Sequence, residues 1–256
     1  KIIRRTNVME PIHVTLFFYQ CINQADPDSV YETWMNLNNS TTGIDPVLNE
    51  WFYLAKATPS EVVYLDLPKE KEQIITSSIR TMKLDRTIPR RNIKGITFHA
   101  WSQKVPAQGP ANEREGSQTV FSSLSGGTEH RLARFSLEIE ALKNHEGRHE
   151  MIAFTRICTA ISNVQKPIWL SACPLSYMKH RVFPHRRHVG WMAVVPDVDI
   201  SGQLPFLAYD EYLPDVGTLI VTTEERFDTT KPEHVEKSQM TETTLLQMGL
   251  LPERQR

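Results

Sequence analysis

The run Thr119 to Leu124 (TVFSSL), the linker Ser125-Gly126-Gly127-Thr128 and the run Leu132 to Ile139 (LARFSLEI) decide the fold. Two β-prone runs bracketing a glycine pair read as a hairpin, and a hairpin makes its strands antiparallel. In the second run Ala133, Phe135, Leu137 and Ile139 share one face, opposite Leu132, Arg134, Ser136 and Glu138. That period of two marks a strand with one buried side.

Upstream of the hairpin, Ile12 to Cys21 (IHVTLFFYQC) is β-branched and aromatic, which predicts a buried strand. Asp26-Pro27-Asp28 then opens a helix carrying Val30, Trp34 and Leu37, closed by Asn38-Asn39-Ser40 and Gly43. Asp45-Pro46 starts a short helical turn before Trp51-Phe52-Tyr53-Leu54, and Thr58-Pro59-Ser60-Glu61 reads as a second helix-capping signal. Lys69 to Leu84 has a helical apolar face, followed by the basic group Arg86, Arg90, Arg91 and Lys94. Ile96 to Trp101 alternates as a strand.

The stretch 104–117, rich in proline and glycine, predicts a loop and a possible lobe boundary. Downstream of the hairpin, Met151 to Ile161 is helical, and Trp169 to Cys173, His180 to Phe183, Val189 to Val195 and Thr218 to Thr223 are predicted strands. A last helix opens near Thr230 and Pro232 and stops at Gly249. Short antiparallel strands interspersed with helices predict an α+β fold, with mostly antiparallel sheet and flanking helices. It is either one domain over 11–252 between short tails at 1–10 and 253–256, or two small fused lobes.

Composition narrows the function classes. The chain has 256 residues, 40% hydrophobic and 23% charged, with a net charge of −1. It therefore folds, and it lacks the overall basic excess of a general nucleic-acid or membrane-surface binder. No stretch approaches the roughly 18 apolar residues of a membrane span. Cys21, Cys158 and Cys173 are odd in number and far apart, which fits a reducing cytoplasm better than a disulfide framework.

Three segments invite a chemical reading. His145-Glu146-Gly147-Arg148-His149 matches H-E-x-x-H, the spacing that sets two imidazoles on one helix face for zinc, with Glu146 as general base. A zinc-dependent hydrolase would follow from it. Gly147 is a poor helix former, Arg148 brings a cation beside the metal, and residues 151–179 contain neither histidine nor acid for a third ligand. The context favours a solvated first helical turn, with Glu146 and Glu150 placed by the dipole, and no metal or cofactor.

Lys179 to His188 (KHRVFPHRRH) is the sharpest basic cluster, and Arg181, Arg186 and Arg187 are the residues a nucleic-acid-binding module would use. With one aromatic, Phe183, it reads better as a solvated turn with Val182 and Phe183 tucked in.

From Asp197 to Asp228 eight acids face the single cation Arg226, a local net of −7. Leu204, Phe206, Tyr209 and Tyr212 punctuate this segment, and aromatics among charges are the composition of a protein-partner surface. The candidate interface residues are Asp197, Asp199, Phe206, Tyr209, Asp210, Glu211, Tyr212 and Asp215. An acidic face suits a basic partner that handles nucleic acid. No nucleophile-elbow, P-loop or dinucleotide fingerprint occurs.

Taken in order, Val14 to Phe18, Asp45-Pro46-Val47-Leu48 with Trp51 to Leu54, Thr58 to Glu61, Val189-Gly190-Trp191-Met192, Gly217 to Thr222, Phe227-Asp228, Pro232 to Val235 and Gly249-Leu250-Leu251-Pro252 resemble the immunity protein 52 family of bacterial polymorphic toxin systems. The resemblance spans most of the chain. It implies a cytoplasmic α+β antidote without catalytic activity, encoded beside a toxin often delivered by type VI secretion. The implied toxin is a nuclease of restriction-endonuclease-like fold, neutralised by binding. The residues leave both a monomer and a homodimer open. The chain departs from the pattern after the aromatic block, where Ala55-Lys56-Ala57 stands in place of a glycine-containing turn. The matching residues are core and turn positions, so the resemblance assigns no inhibitory residue.

Overall fold

A computed structural model describes residues 10–20, 26–58, 61–67, 69–84, 96–102, 120–128, 131–143 and 148–254. The hairpin that decides the fold is β5 (Val120–Thr128) with β6 (Arg131–Ile139), and it runs through Ser125 to Thr128 instead of turning there. β1 (Ile12–Phe18) lies between β6 and β7 (Trp169–Pro174), antiparallel to both. To one side follow β4 (Phe98–Trp101), β2 (Phe52–Thr58) and β3 (Glu61–Asp66); to the other, β8 (Met192–Pro196), β10 (Gly217–Val221) and β9 (Tyr209–Leu213). These form one ten-stranded sheet in the order β3-β2-β4-β5-β6-β1-β7-β8-β10-β9, with every strand pair antiparallel. β4 and β5 flank the 104–117 stretch and still pair directly, so the sheet continues across it.

Three helices cover one face: α1 (Pro27–Asn39), α2 (Lys71–Leu84) and α3 (Arg148–Val164). Val30, Trp34 and Leu37 of α1, Ile74 of α2, and Phe154, Ile157 and Ile161 of α3 pack on Val14, Leu16, Phe135, Leu137 and Ile139. Helix period meets strand period at this layer, and both were readable as patterns. Trp34 stacks on Phe98 at 5.2 Å and donates from Nε1 to Ser122 Oγ at 3.1 Å; Ser122 in turn donates to Asn38 Oδ1 at 2.6 Å. This buried relay fixes α1 on β5 with its polar atoms satisfied.

On the opposite face α4 (Pro232–Gln247) covers the β7 to β10 end, where Leu245 joins Trp169, Ala193, Val195, Ile220, Ile200 and Leu204 in a second core.

The structure corrects four local expectations. Thr58 and Glu61 start no helix but pair across a β2–β3 hairpin, because the following Val62-Val63-Tyr64-Leu65 prefers strand. Ala55-Lys56-Ala57 lies within β2, with a register shift between Leu54 and Lys56. His180 to Phe183 forms no strand and follows a 3-10 turn over Leu175–Lys179. Tyr209 to Leu213, within a stretch that reads as acidic loop, is strand β9. Among the described residues no helix is long and apolar enough to cross a membrane.

Candidate functional site: an acidic sheet edge

Among the described residues β9 is the last strand of the sheet and pairs only with β10. The turn between them is built from Leu213-Pro214-Asp215-Val216, closed by Val216 N donating to Leu213 O at 3.1 Å. Proline presets the second position and Asp215 takes φ +62°, the left-handed region that aspartate tolerates better than most residues. The first residue after this turn must be glycine: Gly217 has φ +139°, and a Cβ there would lie 2.1 Å from Val195 O on β8.

Alternation along β9 sets Tyr209, Glu211 and Leu213 on one face and Asp210 and Tyr212 on the other. Leu213 is buried in the main core, whereas Tyr209 and Tyr212 are 38% and 43% exposed. Tyr209 donates to Glu211 Oε2 at 2.8 Å, and Asp210 accepts from Gly202 N at 3.0 Å. The edge therefore shows one tyrosine on each side, held among carboxylates.

Asp197, Asp199, Asp215, Glu225 and Asp228 of the segment face local partners. Asp197 pairs with Lys166 at 2.6 Å, and Asp215 and Tyr212 face the same ammonium. Asp199 accepts from Ser201 N and its hydroxyl, and Asp228 from Thr230 N and its hydroxyl; these bonds hold both carboxyls below the usual carboxylate range. Glu225 is paired with Lys231. The apolar members divide: Leu204, which looks exposed in the sequence, is only 3% exposed, and Phe206 is half-buried against the second core. Of the candidate residues, β9 thus brings Tyr209, Asp210, Glu211 and Tyr212 together, while Asp197, Asp199 and Asp215 lie in the turns beside it.

The basic cluster is woven into the fold. Glu242 on α4, fully buried, accepts from Tyr177 Oη at 2.8 Å, Val182 N at 3.0 Å and Val189 N at 3.1 Å. Arg186 donates to Leu251 O at 2.6 Å, and Arg187 is 7% exposed with its guanidinium 3.7 Å from the centre of the Phe17 ring. His188 Nε2 meets Ser171 Oγ at 3.2 Å, and the His188 carbonyl accepts from Trp169 Nε1. The cluster is therefore largely not a solvated turn; Val182, expected inside, is 38% exposed, and Phe183 is half-buried.

Burial, and then the charges of Arg254, Arg181, Arg187 and Arg134, push the His188 imidazole down to about 3. Between that value and 6.5 the unfolded chain binds a proton that the folded chain refuses, so stability falls as pH drops. We expect His188→Gln to flatten the fall between pH 6 and 4 by about 1.4 kcal/mol per pH unit. Urea unfolding at stepped pH checks this, and parallel curves for variant and parent would contradict it. His13, His99 and His234 are also lowered by burial and tilt the remaining curve the same way.

Of the H-E-x-x-H match, His145 and Glu146 lie outside the described residues. His149 is exposed on the first turn of α3. Glu150, expected in solvent, is buried and paired with Arg226, which also donates to Glu10 O and Glu140 O. Among the described residues no group of three or more His, Cys, Asp or Glu is arranged to hold a metal. Cys158 and Cys173 are free and buried, and burial pushes both thiols up, Cys158 to about 12.

The sequence reading missed Glu242 and Glu150. A signal for Glu242 existed: Val235, Ser238, Glu242 and Leu245 follow helical spacing, so the carboxylate lies on the inward stripe of α4. Glu150 lay equally on the α3 stripe with Met151 and Phe154.

No curated protein matches the chain in sequence. A solved structure of the Pseudomonas aeruginosa T6SS protein PA0821 shares the fold, with a TM-score of 0.51 and 12% identity over 94% of this chain and 75% of that one. The model of the family described as immunity protein 52 matches residues 26–254, and with the antiparallel α+β architecture in place the chain belongs to the immunity protein 52 family.

Proposed function

We propose that this chain is the cytoplasmic antidote of a toxin delivered by type VI secretion, and that it neutralises the toxin by binding through the β9 edge. The observation that carries the reading is the terminal strand with Tyr209 and Tyr212 exposed on its two sides among Asp210, Glu211 and Asp215. Paired aromatics supply desolvated contact area, and the surrounding carboxylates steer a basic partner into register. The fold shared with a T6SS protein supports the secretion context. A nuclease fits best as the toxin, because the groove that grips nucleic-acid phosphates is basic and an acidic edge is complementary to it.

The test starts with co-expression of the toxin encoded in the neighbouring reading frame, where survival should require this chain. Glu211→Lys is the diagnostic variant, since Asp210 also braces the Gly202 turn. It is expected to slow association roughly tenfold at low salt, with the gap closing at high salt as exposed charges are screened. Association rates equal to the parent at every salt concentration would remove β9 from the interface. Nuclease activity of the isolated toxin, suppressed by stoichiometric antidote, tests the toxin class.

A further inference from the structure

We propose that Arg187, Arg134 and Arg254 form a binding site for a phosphate monoester dianion over Phe17, on the side of the sheet away from α1 to α3. Phe17 on β1 is the register partner of Arg134 on β6, so the two side chains stand next to each other on one face. The Arg187 guanidinium carbon lies over that same Phe17 ring, 3.7 Å from its centre. The C-terminal segment brings the third cation. Arg187 N donates to Pro252 O, Arg186 bridges to Glu253, and Arg254 N donates to His185 O, so Arg254 runs alongside residues 185–187.

A buried guanidinium normally meets a carboxylate. Arg187 is 7% exposed, and among the described residues neither it nor Arg134 nor Arg254 has an ion-pair partner. Burial, and then the charges of Arg254 and Arg134, push Arg187 down to about 10. A buried guanidinium with Arg134 beside its ring partner and Arg254 on the adjoining segment calls for more than one negative charge. A dianion matches them better than a single carboxylate, and the guanidinium fork fits phosphate oxygens in bidentate geometry. Thr15 and Ser136, paired in register beside Phe17 and Arg134, stand on the same face, Ser136 bonded to Ser123 Oγ at 3.0 Å, and exposed Arg134 opens it to solvent. The site is four strands from β9, about 19 Å at the usual strand spacing, so it is distinct from the toxin edge.

The experiment is thermal unfolding and calorimetric titration of the full chain with inorganic phosphate, against sodium chloride and sodium acetate at matched ionic strength. Phosphate is expected to raise the melting temperature beyond both controls. Arg134→Gln and Arg254→Gln, which alter exposed side chains, should each weaken phosphate binding at least tenfold while melting like the parent in chloride. Arg187→Gln should abolish binding and is read only if it folds. An equal phosphate shift in the parent and both exposed variants overturns the site. Acetate acting as well as phosphate, or a single-stranded oligonucleotide without terminal phosphate binding more tightly than phosphate, overturns the dianion assignment.

Discussion

Glu242→Ala is expected to destabilise the fold by roughly 3 kcal/mol or more, among the largest effects of any single polar replacement in this chain. The carboxylate is fully buried and takes Tyr177 Oη on one oxygen with Val189 N, and Val182 N on the other. Ser238 donates to the same tyrosine oxygen at 2.7 Å, so its removal unsettles the whole joint between α4 and the 177–189 segment. Each backbone or hydroxyl donor left without an acceptor in the interior costs about 1–3 kcal/mol. Glu242→Gln keeps the volume and one acceptor but turns an amide N–H toward a backbone N–H, so an intermediate loss of about 1–2 kcal/mol is expected.

The pH dependence separates the two variants further. Burial raises the Glu242 carboxyl above its ordinary value. A carboxyl raised on folding favours the folded state most at low pH, and that contribution declines as pH climbs past about 4.5. Glu242→Gln removes this decline, so the gap between parent and Gln variant should be largest in acid and narrow toward neutral pH. Denaturant unfolding at pH 4.5 and pH 7 reads both results. A loss below 1 kcal/mol for the Ala variant would mean that water replaces the carboxylate and that the segment is held elsewhere.

Replacing Tyr209 and Tyr212 by alanine together is expected to weaken toxin binding about 10³-fold, from roughly 2 kcal/mol for each anchor. The two side chains leave opposite faces of β9 and share no contact partner given by the structure, so near-additivity is the expectation. Stability should change by no more than about 1 kcal/mol per site, since both rings are exposed. Cells carrying the toxin should then lose protection while the antidote remains folded, a combination that a merely unstable variant would not give. Kd within threefold of the parent for the double variant would show that the toxin is held by another surface.

Much of the scaffold was legible before any coordinates. Ala133, Phe135, Leu137 and Ile139 are all buried as their alternation requires, and Val30, Trp34 and Leu37 line the inward face of α1. Asp45 caps its short turn by accepting from Val47 N at 2.8 Å, as an aspartate before a proline should. The candidate site was legible only as composition. The acidic excess located the segment, but it could not separate Glu211, exposed on the edge strand beside Tyr209, from Asp199 and Asp228, which serve their own turns, or from Asp197, which answers Lys166. The basic cluster misled for the same reason: its charge suggests solvent, whereas Glu242 and Phe17, 60 and 170 residues from Val182 and Arg187 in the sequence, hold parts of it against the fold.

The sequence by itself determined the antiparallel α+β class, the inward faces of β6 and α1, and the aspartate cap of the short turn at Pro46. These depend on residues within a few positions of one another, where backbone period and side-chain polarity act locally. Only the tertiary structure decided that β9 ends the sheet among the described residues, that Glu242 and Glu150 are interior, and that Arg187 lies over Phe17. Each of those outcomes depends on which distant segment returns to a given place, and a polar group's energy is set by the partners it finds there.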